Sequence, residues 1–133
     1  MSRPGNPDRR EIRPDHLLRA VLDDKLVGDV LTHLGTPPTT LRATLEHRWL
    51  DTVDDLDGEP DWRGRHLSDP ARAVLVSALV ERTNTDSQKV HAGHLLLGLL
   101  HSRDPLVAGT FRQHGIRLRA ARPLVAAWGR RVW

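Results

Sequence analysis

The sequence predicts an all-α fold of about seven helices, arranged as two tandem repeats with pseudo-two-fold symmetry. Two observations support this fold class. The segment His94–Leu100 is almost wholly apolar and too short to span a bilayer, which is typical of a helix buried on every side. A similar segment occurs near the start of the chain, which indicates that one helical unit has been duplicated.

The duplication is visible at a nearly constant spacing. Residues 15–22 match residues 93–100 at an offset of 78, and residues 26–35 match residues 106–115 at an offset of 80. Both copies contain His-Leu-Leu, and in both a following helix is predicted to stop at a glycine. The offsets differ because the turn between the two helices is longer in the second copy.

The first repeat is predicted over residues 13–50. Residues 1–12 precede it and are expected to form a mobile arm, since they are rich in proline and charge. Pro14 suits the first turn of a helix, and Thr36 is the expected N-cap of the third helix. The three predicted helices are Asp15–Asp23, Lys25–Leu34 and Pro37–Trp49.

The second repeat is predicted over residues 68–128, after a linker at 51–67 and before a tail at 129–133. Its first helix follows Ser68, the expected N-cap, and runs to about Thr83. The apolar stripe of this helix contains Ala71, Val74, Leu75, Ala78 and Leu79. Next come the apolar helix, a helix over Pro105–His114 and a last helix. Pro123 falls in the first turn of that helix if it begins near Arg119, and otherwise kinks it.

Composition limits the class of protein. The chain has 133 residues, which is enough for one domain and too few for an AAA ATPase module, and it contains no phosphate-binding G-x-x-x-x-G-K-[ST] motif. It has no cysteine, no signal peptide and no long apolar span. We therefore expect a soluble, cytoplasmic protein that has no membrane association and needs no cofactor.

Charge is unevenly distributed along the chain. The net charge is +3, but residues 51–61 contain six acids and no base, whereas the residues after Asp104 contain six arginines and no acid. A basic C-terminal segment carrying tryptophans is compatible with an acidic partner or with nucleic acid. A nucleic-acid-associated regulator therefore remains an alternative reading.

No catalytic or metal-binding constellation is evident. His91, His94 and His101 can be drawn on one helix face, but no cysteine or acid among these positions completes a metal site. His16 and His94 occupy the same place in the two repeats, which favours a structural role in which a ring nitrogen bonds to the backbone near a helix start. We expect a protein that is not an enzyme.

The two copies resemble a known family. HLLLGLL at 94–100, a short turn and a helix ending at glycine look like the N-terminal substrate-receptor domain of the Clp/Hsp100 ATPases, the ClpC type most closely. The resemblance covers His66–Trp128 in the second copy and about Arg13–Trp49 in the first. It implies a non-catalytic protein- or peptide-binding module without its own motor, acting as an adaptor, a decoy or a scavenger of peptide ligands. The implied partners are a Clp ATPase, its substrates or cyclic peptides. A degenerate remnant of a Clp ATPase is a further alternative.

The resemblance also implies a ligand site. In ClpC-type domains, the glutamate of "GTEHLLLGL" pairs with the guanidinium of phosphoarginine. This sequence has Asp15 at that position in the first copy and Gly93 in the second, so we expect at most one weak site, centred on Asp15. The candidate ligand-binding residues are Pro14, Asp15, Leu18, Val21, Ala92 and Gly93.

The first repeat lacks a counterpart of the long helix that opens the second. Only twelve residues precede Arg13, and they contain Pro4, Gly5 and Pro7, which oppose a helix. The apolar residues of the first predicted helix are therefore expected to lack cover, and they are Leu17, Leu18, Val21 and Leu22. We expect this strip to be closed by homodimerisation, by a partner protein or by an apolar ligand.

Overall fold

The computed structural model describes residues 11–52 and 66–132. In these residues the chain forms seven α-helices and one pair of very short strands, which confirms the predicted all-α class. The elements are β1 (Glu11–Ile12), α1 (Pro14–Val21), α2 (Lys25–His33), α3 (Pro38–Thr52), β2 (His66–Leu67), α4 (Asp69–Asn84), α5 (Ala92–His101), α6 (Pro105–Gln113) and α7 (Leu118–Val132). Among the described residues, no helix is long and apolar enough to cross a membrane.

Equivalent helices of the two repeats begin and end in the same way. Asp24 caps α2 and Asp104 caps α6, each accepting a hydrogen bond of 3.1 Å from the backbone amide three residues on. Both helices stop before a glycine in the left-handed region, with φ of 94° at Gly35 and 66° at Gly115. The predicted glycine stops are therefore confirmed.

Several predicted helix boundaries differ from the structure. Thr36 does not cap α3, because the first helical amides, those of Thr40 and Leu41, bond to the carbonyl of Pro37, so the helix begins at Pro38. α7 begins at Leu118 and continues to Val132, so the predicted tail is helical over 129–132. Pro123 consequently lies beyond the first turn of α7 and removes one backbone hydrogen bond there.

A short parallel strand pair joins the entrances of the two repeats. Glu11 pairs with His66 and Ile12 pairs with Leu67, and the amide of Ser68 donates to the Ile12 carbonyl at 3.0 Å. The predicted mobile arm and linker thus end in ordered strands, while residues 1–10 and 53–65 lie outside the described residues. The oxygen of the predicted cap Ser68 accepts from the Ala71 amide at 3.2 Å.

α5 is the central helix, in contact with α1, α2, α4, α6 and α7. Leu96, Leu97 and Leu99 are fully buried, as expected for the apolar segment. Gly98 is where α4 crosses most closely, since a Cβ there would fall against the Val74 carbonyl oxygen and 3.1 Å from the Ala78 amide nitrogen. Glycine at this position allows the two backbones to approach each other.

The apolar strip of α1 is not open, so the expectation that it lacks cover is wrong. Leu18 is fully buried, and Leu17, Val21 and Leu22 are 8%, 4% and 4% exposed in the single chain. α1 packs against α5, α4 and α6. α4 covers Leu97 and Gly98 of α5. The equivalent residues of α1 are Arg19 and Ala20, and Ala20 is exposed. The first repeat therefore has no apolar surface at this place that a helix must cover.

A buried carboxylate on α4 forms hydrogen bonds with α5 and α7. Glu81 is fully buried, and Arg122 of α7 donates to its two oxygens at 2.8 and 2.6 Å. His101 of α5 lies 2.9 Å from Oε1, and the Asn84 amide donates to the same atom at 3.3 Å. Burial raises the pKa of Glu81, but these hydrogen bonds outweigh burial and lower the pKa to about 2.

The predicted stripe of α4 is only partly correct. Ala71, Val74 and Ala78 face the core and Leu75 is half-buried, whereas Leu79 is 56% exposed. The buried positions continue instead to Glu81 and Thr85, so the core face lies to one side of the predicted stripe.

Candidate functional site

The N-termini of α1 and α5 form two equivalent sites with a shared backbone design. Nδ1 of His16 accepts from the Arg13 amide at 3.0 Å, and Nδ1 of His94 accepts from the His91 amide at 3.1 Å. Each histidine thus bonds the backbone three residues earlier, at the helix start. The predicted histidine–backbone contact is confirmed in both repeats.

In the second repeat, the place of a side chain at position 93 is taken by an imidazole. Nδ1 of His91 accepts from the Gly93 amide at 3.1 Å, and its ring lies 4.0 Å from the His94 ring, centroid to centroid. A Cβ on Gly93 would lie 2.8 Å from Cε1 of His91 and 2.9 Å from Cγ1 of Val125. No side chain fits there without moving α7 or the His91 ring, so this position has no carboxylate and no room for one.

In the first repeat, the carboxylate is present but already engaged. Asp15 is 2% exposed, and the Arg13 guanidinium donates to both of its oxygens, Nε to Oδ1 at 3.1 Å and Nη2 to Oδ2 at 3.3 Å. Nη2 of Arg13 also lies 3.3 Å from Nε2 of His16. A guanidinium from the same chain therefore already pairs with the carboxylate that the resemblance assigns to a ligand.

Both histidines at the start of α5 have lowered pKa values. Burial, helped by the nearby His91, lowers the pKa of His94 to about 4, so the ring is neutral at neutral pH. Burial also lowers the pKa of His91. With Nδ1 accepting from the backbone, Nε2 of His94 carries the proton and donates to Oγ1 of Thr85 at 2.9 Å, which ties α5 to the end of α4.

Asp104, the cap of α6, lies close enough to the start of α1 for the charges there to affect its pKa. Burial raises the pKa of Asp104, the Val107 amide lowers it, and the Asp15 carboxylate raises it again while Arg13 opposes this effect. Arg13 therefore balances two acids, which is the role of an internal counter-ion.

The remaining candidate ligand-binding residues are mostly interior. Pro14 is buried at the start of α1, Leu18 and Val21 are core residues, and Ala92 is half-buried. Asp15 and Gly93 occupy equivalent places in the two repeats, but Arg13 pairs with the first and the His91 ring packs beside the second. The predicted residues therefore lie at two packed helix N-termini, those of α1 and α5.

A separate cleft, missed by the sequence analysis, lies along α6. It has a volume of about 520 Å³ and is lined by Arg48, Arg103, Pro105, Ala108, Gly109, Arg112 and Gln113. Arg48 reaches it from α3, where Nε and Nη2 donate to Oε1 of Gln113 at 3.2 and 2.9 Å. Gly109 leaves room for this side chain, since a Cβ there would lie 2.8 Å from Nη1 of Arg48.

A second cavity adjoins this arginine cleft and shares Ala108 and Arg112 with it. Its volume is about 380 Å³, and its other lining residues are Leu100, Ser102, Phe111, Gly115, Ile116, Arg117 and Leu118. Within the described part of the chain, Arg103 and Arg112 form no ion pair, and no carboxylate lines either cavity. Together the two cavities place the guanidinium groups of Arg103 and Arg112 beside apolar side chains.

The described residues contain no group of three or more histidine, aspartate and glutamate side chains arranged to hold a metal ion. Nε2 of His101 instead bonds to the Glu81 carboxylate, and Nε2 of His94 bonds to Thr85. The three histidines singled out in the sequence therefore bind protein groups.

Comparison with known proteins agrees with this architecture. The family model of the Clp repeat (R) N-terminal domain matches residues 6–114, which spans both pseudo-equivalent helix starts and ends after α6. No curated protein matches the chain. Since the family model covers most of the chain, this protein belongs to the Clp repeat N-terminal domain family.

Proposed function

We propose that this chain is a non-catalytic peptide-binding module of the Clp type that binds acidic peptide segments in the arginine cleft. The observation that carries this proposal is the pair of adjoining cavities along α6: three arginines line the first, and the second combines two arginines with apolar side chains such as Leu100, Phe111 and Ile116. A guanidinium binds a carboxylate with two parallel hydrogen bonds, and an apolar residue beside that carboxylate fills the neighbouring cavity. The cavity volumes fall within the usual range of about 300–1,000 Å³ for ligand sites.

The same geometry disfavours phosphoarginine as the main ligand. Asp15 already pairs with Arg13, and the equivalent carboxylate is absent at Gly93. A phosphorylated arginine has to displace Arg13 and leave that guanidinium to find another partner. We therefore propose at most one weak site, at Asp15, and Asp15→Ala is expected to remove any such binding.

Peptide titration tests the proposal directly. A peptide carrying Asp or Glu beside Leu or Phe is titrated by calorimetry, with the Asn or Gln analogue as its control. We expect Arg103→Glu and Arg112→Glu each to weaken binding by roughly ten- to a hundred-fold, since an attractive pair becomes repulsive. Arg119→Glu makes the same charge change on an exposed position of α7 outside the cleft and is expected to have little effect. Equal binding of the neutral analogue contradicts the proposal.

The same module can serve as adaptor, decoy or scavenger, and these roles differ in their effect on a Clp protease. An adaptor raises the rate at which the protease degrades a substrate, whereas a decoy lowers that rate in proportion to the bound fraction. A scavenger instead protects the protease from a cyclic peptide inhibitor. Degradation assays with and without the chain, using the wild type and Arg112→Glu, separate the three.

Nucleic-acid binding through the C-terminal arginines is the alternative. Arg122, in the middle of that segment, is bound to Glu81, which neutralises its charge. Retention on duplex DNA that falls steeply with salt and is lost in Arg119→Glu favours this alternative over the peptide site.

A further inference from the structure

α3 brings the chain along the arginine cleft. Oγ1 of Thr44 in α3 lies 2.6 Å from Nε2 of His114, just after the end of α6. One turn further along α3, Arg48 lies against Gly109 in the middle of α6, so the two helices run antiparallel. α3 ends at Thr52, one turn after Arg48. Its C-terminal end therefore points toward the start of α6, at one end of the cleft.

β2 returns the chain to the same end of α6. β2 begins at His66 and pairs with β1, which directly precedes Arg13. The charges of Arg13 and Asp15 interact with the Asp104 carboxylate, which caps α6, and α1 packs against α6. Residues 53–65 join the end of α3 to β2, and a chain of that length can span at most about 45 Å. Both of its ends are therefore within reach of the cleft.

The sequence between these two ends is complementary to the cleft in charge and in apolar character. Residues 51–61 contain six acids and no base, and two of the acids flank a leucine in Asp55-Leu56-Asp57. In the cleft, Arg103 and Arg112 form no ion pair within the described ranges, and no carboxylate is among the lining residues. Carboxylates suit these guanidinium groups, and a leucine suits the adjoining cavity.

We propose that residues 53–61, which we call the acidic segment, bind the arginine cleft of their own chain and compete there with acidic peptides. This inference rests on the proposed peptide site and names what regulates it. The charge complementarity and the position of both chain ends select this segment over an occupant from another molecule.

Tethering sets the strength of the competition. A segment held beside its site by a short connection has an effective concentration on the order of 1 mM. A segment whose intrinsic dissociation constant is about 1 mM therefore fills the cleft about half of the time, and one of about 0.1 mM fills it about nine-tenths of the time. Apparent affinity falls with the free fraction of a site, so external peptides bind about two- to ten-fold more weakly than the empty cleft allows.

The first test removes the charge of the acidic segment. The neutral-segment variant is Asp54→Asn/Asp55→Asn/Asp57→Asn/Glu59→Gln. A synthetic peptide of residues 53–62 is titrated by calorimetry into this variant and into the wild type. We expect the variant to bind the peptide about two- to ten-fold more tightly, because the internal competitor is lost. The matched control neutralises four exposed acids that line neither cavity and is expected to bind like the wild type; it is Asp29→Asn/Glu46→Gln/Asp69→Asn/Asp86→Asn.

The second test needs no added peptide. Trypsin cleaves after Arg63, two residues beyond the acidic segment, and mass spectrometry measures the rate of this cut. Arg112→Glu repels the acidic segment and is expected to speed the cut by about two-fold or more. Arg119→Glu makes the same change at an exposed position of α7 outside the cleft and is expected to leave the rate unchanged. Equal rates in the wild type and Arg112→Glu overturn the proposal.

The outcomes separate this proposal from the proposed function. Peptide binding that is lost in Arg112→Glu but equal in the wild type and the neutral-segment variant keeps the peptide site and overturns the internal competitor. Absence of peptide binding to both proteins overturns the proposed function and this proposal with it. A difference in cleavage that appears only at high protein concentration assigns the cleft to the acidic segment of a second copy and overturns binding within one chain.

Discussion

Replacing Arg122 by Leu is predicted to destabilise the fold through the carboxylate that it leaves behind. Glu81 is fully buried, and Arg122 supplies its two shortest hydrogen bonds, at 2.6 and 2.8 Å. In the variant, only His101 and Asn84 remain to bond the carboxylate. The protein must then either keep a poorly compensated buried charge or protonate it, and both cost free energy.

The magnitude follows from this partial loss. Removing one partner of a fully buried ion pair costs about 3–5 kcal/mol. Arg122 is itself 37% exposed and His101 stays in place, so we expect a smaller cost than this, about 2–3 kcal/mol. A domain of this size is stable by only about 5–15 kcal/mol, so the effect is large. The double variant Glu81→Leu/Arg122→Leu removes both charges and is expected to regain most of the loss.

Urea denaturation followed by far-ultraviolet circular dichroism at pH 7 and pH 4 measures the effect. At pH 7 the midpoint of Arg122→Leu is expected to fall by roughly 1–2 M. The pH dependence supplies a second readout. In the wild type, the lowered pKa of Glu81 stabilises the fold above pH 4.5, and this stability is lost as the pH falls toward about 2. In the variant, burial raises the pKa, so acidification relieves the buried charge and narrows its deficit relative to the wild type.

Two results refute this reasoning. A deficit equal at pH 7 and pH 4 shows that Arg122→Leu acts through packing and not through the Glu81 charge. A double variant no more stable than Arg122→Leu alone shows that the unpaired Glu81 carboxylate does not cause the loss of stability.

Three further predictions concern the same framework. Gly98→Ala is expected to destabilise the fold by about 2–3 kcal/mol in thermal unfolding, because the new methyl group meets the Val74 carbonyl and the Ala78 amide, which are backbone atoms that cannot rotate away. For His94, burial lowers the pKa from 6.5 to about 4, so the unfolded chain binds the proton first, and stability present above pH 6.5 is lost as the pH falls toward 4. His94→Gln is expected to flatten the measured stability between those pH values, whereas an unchanged slope contradicts the assignment. Ser68→Ala removes the cap of α4 and is expected to lower the free energy of unfolding by about 1 kcal/mol. Urea denaturation should show this as a lower midpoint with an unchanged m-value.

Much of the fold could be predicted because duplication and helix stops are local features. Gly35 and Gly115 end equivalent helices, as their equivalent places in the two copies predicted. The boundary error at Thr36 is also local, since either of two consecutive prolines can occupy a first helical position. The strand pair was not predicted, because two residues are too few to show a period.

The site was harder to predict because its geometry depends on which side chains meet. The sequence shows an acid at Asp15 but not that Arg13, two residues earlier, turns back to bind it. The arginine cleft joins Arg48 with Arg103 and Arg112, which lie more than fifty residues further along the chain. Helix periodicity assigned Leu79 to the core, because periodicity detects apolar positions without saying which neighbour buries them.

The difference between Gly98 and Ala20 decides how much change each repeat tolerates. Gly98 lies under α4, where a Cβ would meet backbone atoms, whereas the equivalent Ala20 is exposed. Two positions related by duplication are therefore under different restraints, because a larger side chain can be accepted at residue 20 and cannot be accepted at residue 98. The contact between α4 and α5 thus makes the two copies no longer interchangeable in sequence.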